Sequence, residues 1–348
     1  METLWFWLVS VMVAIYAVMD GFDFGAGILH PFVARTEAER RQVLGAIGPW
    51  WDGNEVWLLA GGGSLFLAFP QVLAAGFSGF YLALFMVVWT LIMRGVAIEF
   101  RSHLSDGMWR SFWDRAFNAA SVLLPVLLGA ALGNVLRGVP IDDTGYFNIP
   151  LFTDFGVGNP VGVLDWYTVL VGVFVLLTLA NHGTLFLAWK TEGPVHERAR
   201  RFAWPLSLLT AVLGGLVTLA TSEVNPDVYA NLAHAPLARL GMLIFLAGLA
   251  LVFWGLFRNC DRLAFIGSAA FILGLLAATA ACVFPVMLKS TLDPAWSLTA
   301  YNAAVSPHGL RTGLKWWLVG FPIAVAYFVL LFRLHRGKVK ATTETEGY

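Results

Sequence analysis

The chain has 348 residues, 58% of them hydrophobic and only 13% charged, with a formal net charge of +0 and a mean hydropathy of +0.72. Soluble domains carry roughly 45–50% apolar and about 25% charged residues, so the composition excludes a soluble globular protein and points to a polytopic membrane protein. Without net positive charge there is no basic field for nucleic acid. The two cysteines, Cys260 and Cys282, form no CxxC or CxxCH motif and lie near opposite ends of one apolar run, which argues against a thiolate metal site and a disulfide.

A helix of about 20 apolar residues spans a bilayer. Nine runs meet that standard approximately: 4–30, 50–74, 76–100, 116–136, 164–189, 203–222, 237–257, 263–288 and 315–333. They predict an all-α, polytopic membrane protein with nine transmembrane helices, in a single integral-membrane domain over 1–348. The first run has no basic n-region and no small-residue cleavage site, so it reads as a transmembrane helix rather than a removed signal. The first and eighth runs are long and are expected to tilt or protrude. The connection between the second and third is expected to be very short, near Ala75-Gly76.

Lysine and arginine set the orientation, because they accumulate on the cytoplasmic side. Sixteen of the 22 lie after the odd-numbered runs or in the C-terminal tail. This predicts an N-terminus outside and a C-terminus in the cytoplasm. Trp5, Trp7, Trp50, Trp51, Trp316 and Trp317 then fall at the interfaces, where aromatic belts are expected.

Three stretches bring charge into these runs. Gly48 to Leu59 reads GPWWDGNEVWLL and places Asp52, Asn54 and Glu55 in the first turns of a hydrophobic helix; Asp20 to Gly27 reads DGFDFGAG; Arg94 to Arg101 reads RGVAIEFR and contains Glu99. Ionisable groups in membrane helices are expensive and by default mark an ion or proton path. With the orientation above, Asp20, Asp23, Asp52, Glu55, Arg94 and Glu99 all fall in the cytoplasmic half. Asp20 with Asp23, and Asp52 with Glu55, are i,i+3 pairs, so each pair is expected to share a helix face. Arg94 is the natural partner of one or more of them. The cluster reads either as an ion-pair network near the interface or as a water-accessible proton entry. The excess of acids over Arg94 favours the second, because crowded carboxylates raise one another's pKa. Asp114 and His103 fall in the next connection, where an entry could begin, and as loop residues they are expected to be solvated.

Small residues let membrane helices approach closely. Gly21 and Gly25, Gly61-Gly62-Gly63, and Gly129 and Gly133 are therefore predicted packing positions. Of seven histidines, only His182 lies well inside a run, with His30 at a run's end. Bis-histidine haem sites need paired histidines on facing helices, so His182 reads as a hydrogen-bonded packing residue. No HExxH, GxSxG, Walker or GxGxxG element supports a protease, hydrolase or nucleotide-binding reading.

At these charged motifs the chain resembles subunit II of the cytochrome bd quinol oxidases, the family that includes the cyanide-insensitive oxidases. The resemblance is carried by Asp20–Gly27, by Trp51-Asp52-Gly53-Asn54-Glu55-Val56-Trp57-Leu58, by Phe77-Ser78-Gly79-Phe80-Tyr81, by Arg94–Arg101, and by Gly133-Asn134 with Gly138-Val139-Pro140. It implies a bacterial inner-membrane enzyme that oxidises membrane quinol and reduces dioxygen to water, taking protons from the cytoplasm. Two haems b and one haem d are implied in the partner, subunit I, with none in this subunit. The implied fold has two four-helix bundles plus one peripheral helix. Asp52 and Glu99 match positions on a cytoplasmic proton path at the subunit interface, which Asp20, Asp23 and Asp114 would extend. Arg94, Glu55, Arg101 and Trp57 are read as charge partners or structural residues. The chain departs from the family at Glu55, often an amide there, and at 301–306, where the family is richer in serine. A structural quinone in this subunit and a small single-helix accessory subunit are further implications of the resemblance. A stand-alone proton-coupled transporter and a haem b-bearing electron-transfer subunit are the alternatives. The first should show charges near the midplane in both halves, and the second should show histidine pairs. The orientation is checked by a cysteine at Arg40, which should react with impermeant reagents only from the cytoplasmic face.

Overall fold

In lipid every backbone polar group must be satisfied within its own segment, so each apolar run is driven to helix. The computed structural model describes residues 1–341. The helices are α1 (Glu2–Met19), α2 (Gly21–Val33), α3 (Glu37–Ile47), α4 (Trp51–Ala68), α5 (Pro70–Gly79), α6 (Tyr81–Phe100), α7 (Gly107–Arg137), α8 (Trp166–Lys190), α9 (Pro194–Val224), α10 (Asp227–His234), α11 (Pro236–Phe257), α12 (Asp261–Val283) and α13 (Pro307–Leu334). Strands β1 (Val286–Leu288) and β2 (Leu298–Thr299) form a small antiparallel hairpin between α12 and α13. Among the described residues, eight helical segments are long and apolar enough to cross a membrane, α1 and α2 counting as one, and nine if α4 and α5 are taken together. The protein is an all-α, polytopic membrane protein, as its sequence predicts.

Helices α1–α2, α4, α6 and α7 pack as one group and α8, α9, α11 and α12 as a second, joined where α7 and α2 meet α8 and α1 meets α12. Helix α13 lies against α4, and its most apolar stretch is only 6% buried. The crossing of α2 and α8 depends on two glycines. A Cβ on Gly25 would stand 2.1 Å from the Leu179 carbonyl oxygen and 2.6 Å from the Gly183 Cα. No hydrophobic force draws helices together in lipid, so such backbone approach is the main source of packing. Helices α11 and α12 use the same device at Gly241, Gly248 and Gly255, whose seven-residue spacing brings all three against the α12 backbone.

The structure corrects several boundaries. The second and third runs are not joined by a tight turn near Ala75-Gly76. Pro70 cannot continue the hydrogen-bond ladder of α4, and α5 leaves it at 115° before α6 begins. The eighth helix stops at Val283, and 286–288 are strand rather than helix. Helix α7 begins at Gly107, not 116, because Asp106 caps it by accepting from the Trp109 amide. Asp114 is thereby a buried helical residue and not a solvated loop group. His103 does lie in a turn and is exposed. Of the three glycines, Gly61 is buried against Met12 and Val13 of α1, as expected of a packing position, whereas a Cβ on Gly62 or Gly63 would meet nothing within 4 Å. Gly25→Leu should therefore cost about 3 kcal/mol or more through overpacking, whereas Gly62→Leu should leave the fold of this subunit intact. Thermal unfolding of the two purified variants checks the contrast.

Candidate functional site

Helix α6 carries Arg94 and is capped at its C-terminus by Arg101, seven residues on, two turns or about 10.5 Å along one face. The upper guanidinium is buried completely. Arg94 donates to both oxygens of Asp20, at 2.6 and 3.1 Å, and to Glu55 at 2.6 Å. Its guanidinium carbon also lies 4.3 Å from the centre of the Phe24 ring. Asp23 is buried as well and accepts from the Asn54 side-chain amide at 2.7 Å. Two carboxylates, from the α1–α2 junction and from α4, thus contact the one cation supplied by α6, and Asp23 of α2 is held beside them by Asn54.

The site exists because the first span breaks at Asp20. Polar side chains inserted at that break stabilise it, a recurrent cause of helix kinks. Asn54 donates to the Met19 carbonyl at 2.9 Å, and His182 Nε2 lies 3.0 Å from the Val18 carbonyl. A carbonyl only accepts, so the His182 proton sits on Nε2 and Nδ1 is left to meet the Ser268 hydroxyl at 2.6 Å. With both ring nitrogens engaged and Phe265 stacked on the ring, His182 is a packing residue with no nitrogen to spare for a metal. Among the described residues no group of three or more His, Cys, Asp or Glu is placed to hold a metal ion.

The lower guanidinium organises the end of the bundle. Arg101 makes paired hydrogen bonds to Asp114, at 2.6 and 3.3 Å, and to Glu37, at 3.1 and 2.9 Å. Arg40 reaches Asp114 at 3.1 Å, and His30 Nε2 lies 3.6 Å from it. Helix α3, which supplies Glu37 and Arg40, starts with a capping box: Thr36 Oγ1 accepts from the Glu39 amide while Glu39 accepts from the Thr36 amide. The Thr36-x-x-Glu39 pattern was legible in the sequence. Glu39 also accepts from Arg198 at 2.8 Å, tying α3 to α9. That hydrogen bond from Arg198 holds the Glu39 carboxyl below its usual range, against the opposing effect of burial. Burial works against ionisation of Glu37 too, but the hydrogen bonds and charge of Arg101 outweigh it and its pKa is lowered.

The remaining sequence-predicted residues behave differently. Asp52 and Glu55 do not turn inward together: Glu55 reaches Arg94, while Asp52 is exposed on the outside of α4. Glu99 is exposed near the end of α6. Trp57 is 4% exposed and packs against Phe321 and Phe328 of α13. One buried pair was missed altogether. Arg137, assigned to an outer connection, is the last residue of α7 and pairs with Asp165, the N-cap of α8, at the opposite end of the bundle. The signal available was Asp165-x-x-Thr168, a helix-start pattern beside the Gly133-Asn134 motif.

The family model for cytochrome bd terminal oxidase subunit II matches residues 1–335. This chain belongs to that family. A probable cytochrome oxidase subunit 2 of Haemophilus influenzae is 31% identical over 97% of this chain and 95% of its own length. Cytochrome bd ubiquinol oxidase subunit 2 of Bacillus subtilis is 33% identical over 89% of this chain and 88% of its length. Cytochrome bd-I ubiquinol oxidase subunit 2 of Escherichia coli is 38% identical over 60% of this chain, and the match spans about half of that relative, 54%. A chain of the bd oxidase from Geobacillus thermodenitrificans has the same fold, with a TM-score of 0.76 at 18% identity over 96% of this chain and 98% of that one.

Breaking a buried ion pair from one side costs about 3–5 kcal/mol, while replacing the whole pair by apolar groups is often neutral. Arg94→Leu should therefore deplete the folded subunit from membranes, and Arg94→Leu combined with Asp20→Leu should recover part of the loss. Quantitative immunoblotting of membrane fractions measures both.

Proposed function

We propose that this chain is the haem-free subunit II of a cytochrome bd-type terminal quinol oxidase. With subunit I it oxidises membrane quinol and reduces dioxygen to water, and this subunit supports assembly and forms part of the cytoplasmic proton path. Family membership carries the oxidase reading. The proton reading is carried by the carboxylate excess around Arg94: Asp20, Glu55 and Asp23 gather there against one guanidinium. An uncompensated carboxylate in a low-dielectric site is costly, so such a cluster is suited to hold and release protons.

Asp52 receives protons from the cytoplasm and passes them through waters and Glu99 toward the oxygen-reducing haem of the partner. Both carboxylates face out of the bundle at the same end, and an exposed carboxylate on a lipid-facing helix is disfavoured. Cover by subunit I removes that cost, and Gly62 and Gly63 on the open side of α4 allow its helices to approach. Asp20 and Arg94 fix the local geometry and charge balance. Asp114, beside Arg40 and His30, lies toward the cytoplasmic surface and belongs to the approach to the path.

The orientation places α3 and the C-terminus in the cytoplasm and the N-terminus outside, in the bacterial inner membrane. The two histidines in apolar runs do not fit haem ligation: His182 is fully engaged, and His30 lies against Asp114. The two haems b and the haem d accordingly reside in subunit I. A structural quinone and a single-helix accessory subunit would be additional components of the complex.

Asp52→Asn keeps the shape and removes the titratable proton. Steady-state oxygen consumption should fall at least tenfold, with haem content and quinol-driven haem reduction unchanged. Oxygen-electrode turnover together with haem spectra of the purified complex tests this. Normal turnover with normal proton uptake would leave the acid cluster as an ion-pair network alone.

A further inference from the structure

A groove of about 680 Å³ runs between α13 and the body of the molecule, opening at the end that carries α3. That volume falls within the ~300–1,000 Å³ of typical small-molecule sites. Its composition is divided by depth. The wall is apolar, with Ile15 and Met19 of α1 facing Val325, Phe328 and Phe332 of α13. The mouth is basic, and it is formed by helix ends: Lys190 ends α8, Arg262 stands in the first turn of α12, Arg333 lies in the last turn of α13, and Arg336 follows just beyond.

These cations have, among the described residues, no acidic counterpart at the mouth. Among the described residues no Asp or Glu lines the groove, and none of the four cations has a carboxylate within ion-pair distance. Lys190 is built in rather than left loose. It is 3% exposed, bonds the His335 carbonyl at 2.5 Å, and lies 5.2 Å from the Trp189 ring, so it anchors the end of α13 beside the arginines. A second observation points to a ligand from inside the groove. The Trp57 indole N–H, on a side chain 4% exposed, has no hydrogen-bond partner. Trp57 follows Trp51, the first residue of α4, by six positions, or about 9 Å of rise toward the membrane interior.

We propose that this groove binds an anionic diacyl phospholipid from the leaflet on the α3 side. The phosphate meets Arg262, Arg333 and Arg336, an ester carbonyl accepts from the Trp57 indole N–H, and the acyl chains lie along the apolar wall. Basic pockets between membrane helices recognise anionic headgroups in this way, and arginine suits phosphate because it offers paired donors. The lipid would fill the space beside α13, whose other contacts with the body run along α4 and reach α1 through the Trp5–Leu310 hydrogen bond. The inference does not depend on the proton route.

The test uses the complete complex, purified in mild detergent. Native mass spectrometry should find one anionic phospholipid retained, and titration should show dioleoyl phosphatidylglycerol binding more tightly than dioleoyl phosphatidylcholine. The triple variant Arg262→Gln, Arg333→Gln, Arg336→Gln should weaken phosphatidylglycerol binding at least tenfold and leave phosphatidylcholine nearly unchanged. Val329→Trp, which fills the groove without altering charge, should displace the lipid while the complex stays assembled. Equal binding of the two lipids, wild-type binding by the triple variant, a retained quinone in place of a phospholipid, or no retained lipid at all would each overturn the assignment.

Discussion

A fully buried guanidinium sets the terms for the N-terminal half of this protein. Arg94 lies in a helix that must cross lipid, and a charge there is tolerated only where protein supplies opposite charge and hydrogen bonds. Asp20 and Glu55 supply both, and neither comes from α6 itself. The pairing therefore fixes how α4, α6 and the first span sit relative to one another. It also explains the break at Asp20: a carboxylate at a helix junction can turn toward Arg94, and Asn54 and His182 satisfy the Met19 and Val18 carbonyls just before the break. His182 belongs to α8, so the same junction binds the two helix groups together.

Where charge does not hold the helices, backbone approach does. Gly25 against Gly183 brings α2 onto α8, and the glycines of α11 lie on the backbone of α12. By contrast α4, α6 and α13 leave much of their surface open, including Leu59, Trp89 and Leu318, each more than half exposed. Exposed apolar residues are ordinary on a lipid-facing helix. Exposed Asp52 and Glu99 on the same helices are not, because a carboxylate facing lipid is costly.

The two arginines of α6 divide the polar end into an inner and an outer shell. The inner shell around Arg94 is short of positive charge, while the outer shell around Arg101 mixes Glu37 and Asp114 with Arg40 and Arg110. Cations outnumber carboxylates in the outer shell, whereas carboxylates outnumber the cation in the inner one. Helix α3 lies across the boundary, held by its capping box and by the Glu39–Arg198 pair.

Composition and hydropathy fixed the membrane class and the approximate number of spans, because twenty apolar residues in sequence have no alternative to a helix in lipid. The unusual charges in those spans identified Asp20, Glu55 and Arg94 as one cluster, since each is costly alone. Helical periodicity did not reveal that Asp52 turns away from Glu55. Sixty degrees of rotation separates i and i+3 on a helix, and only the neighbours decide which side of that arc is covered. Asp114 read as a loop group because its flanking sequence is polar, and it became a buried ligand of Arg101 only when α7 extended back to Gly107. The Arg137–Asp165 pair and the basic mouth of the α13 groove join residues far apart in the chain. Such partnerships leave no local periodic signal; the packing of helix ends in three dimensions creates them.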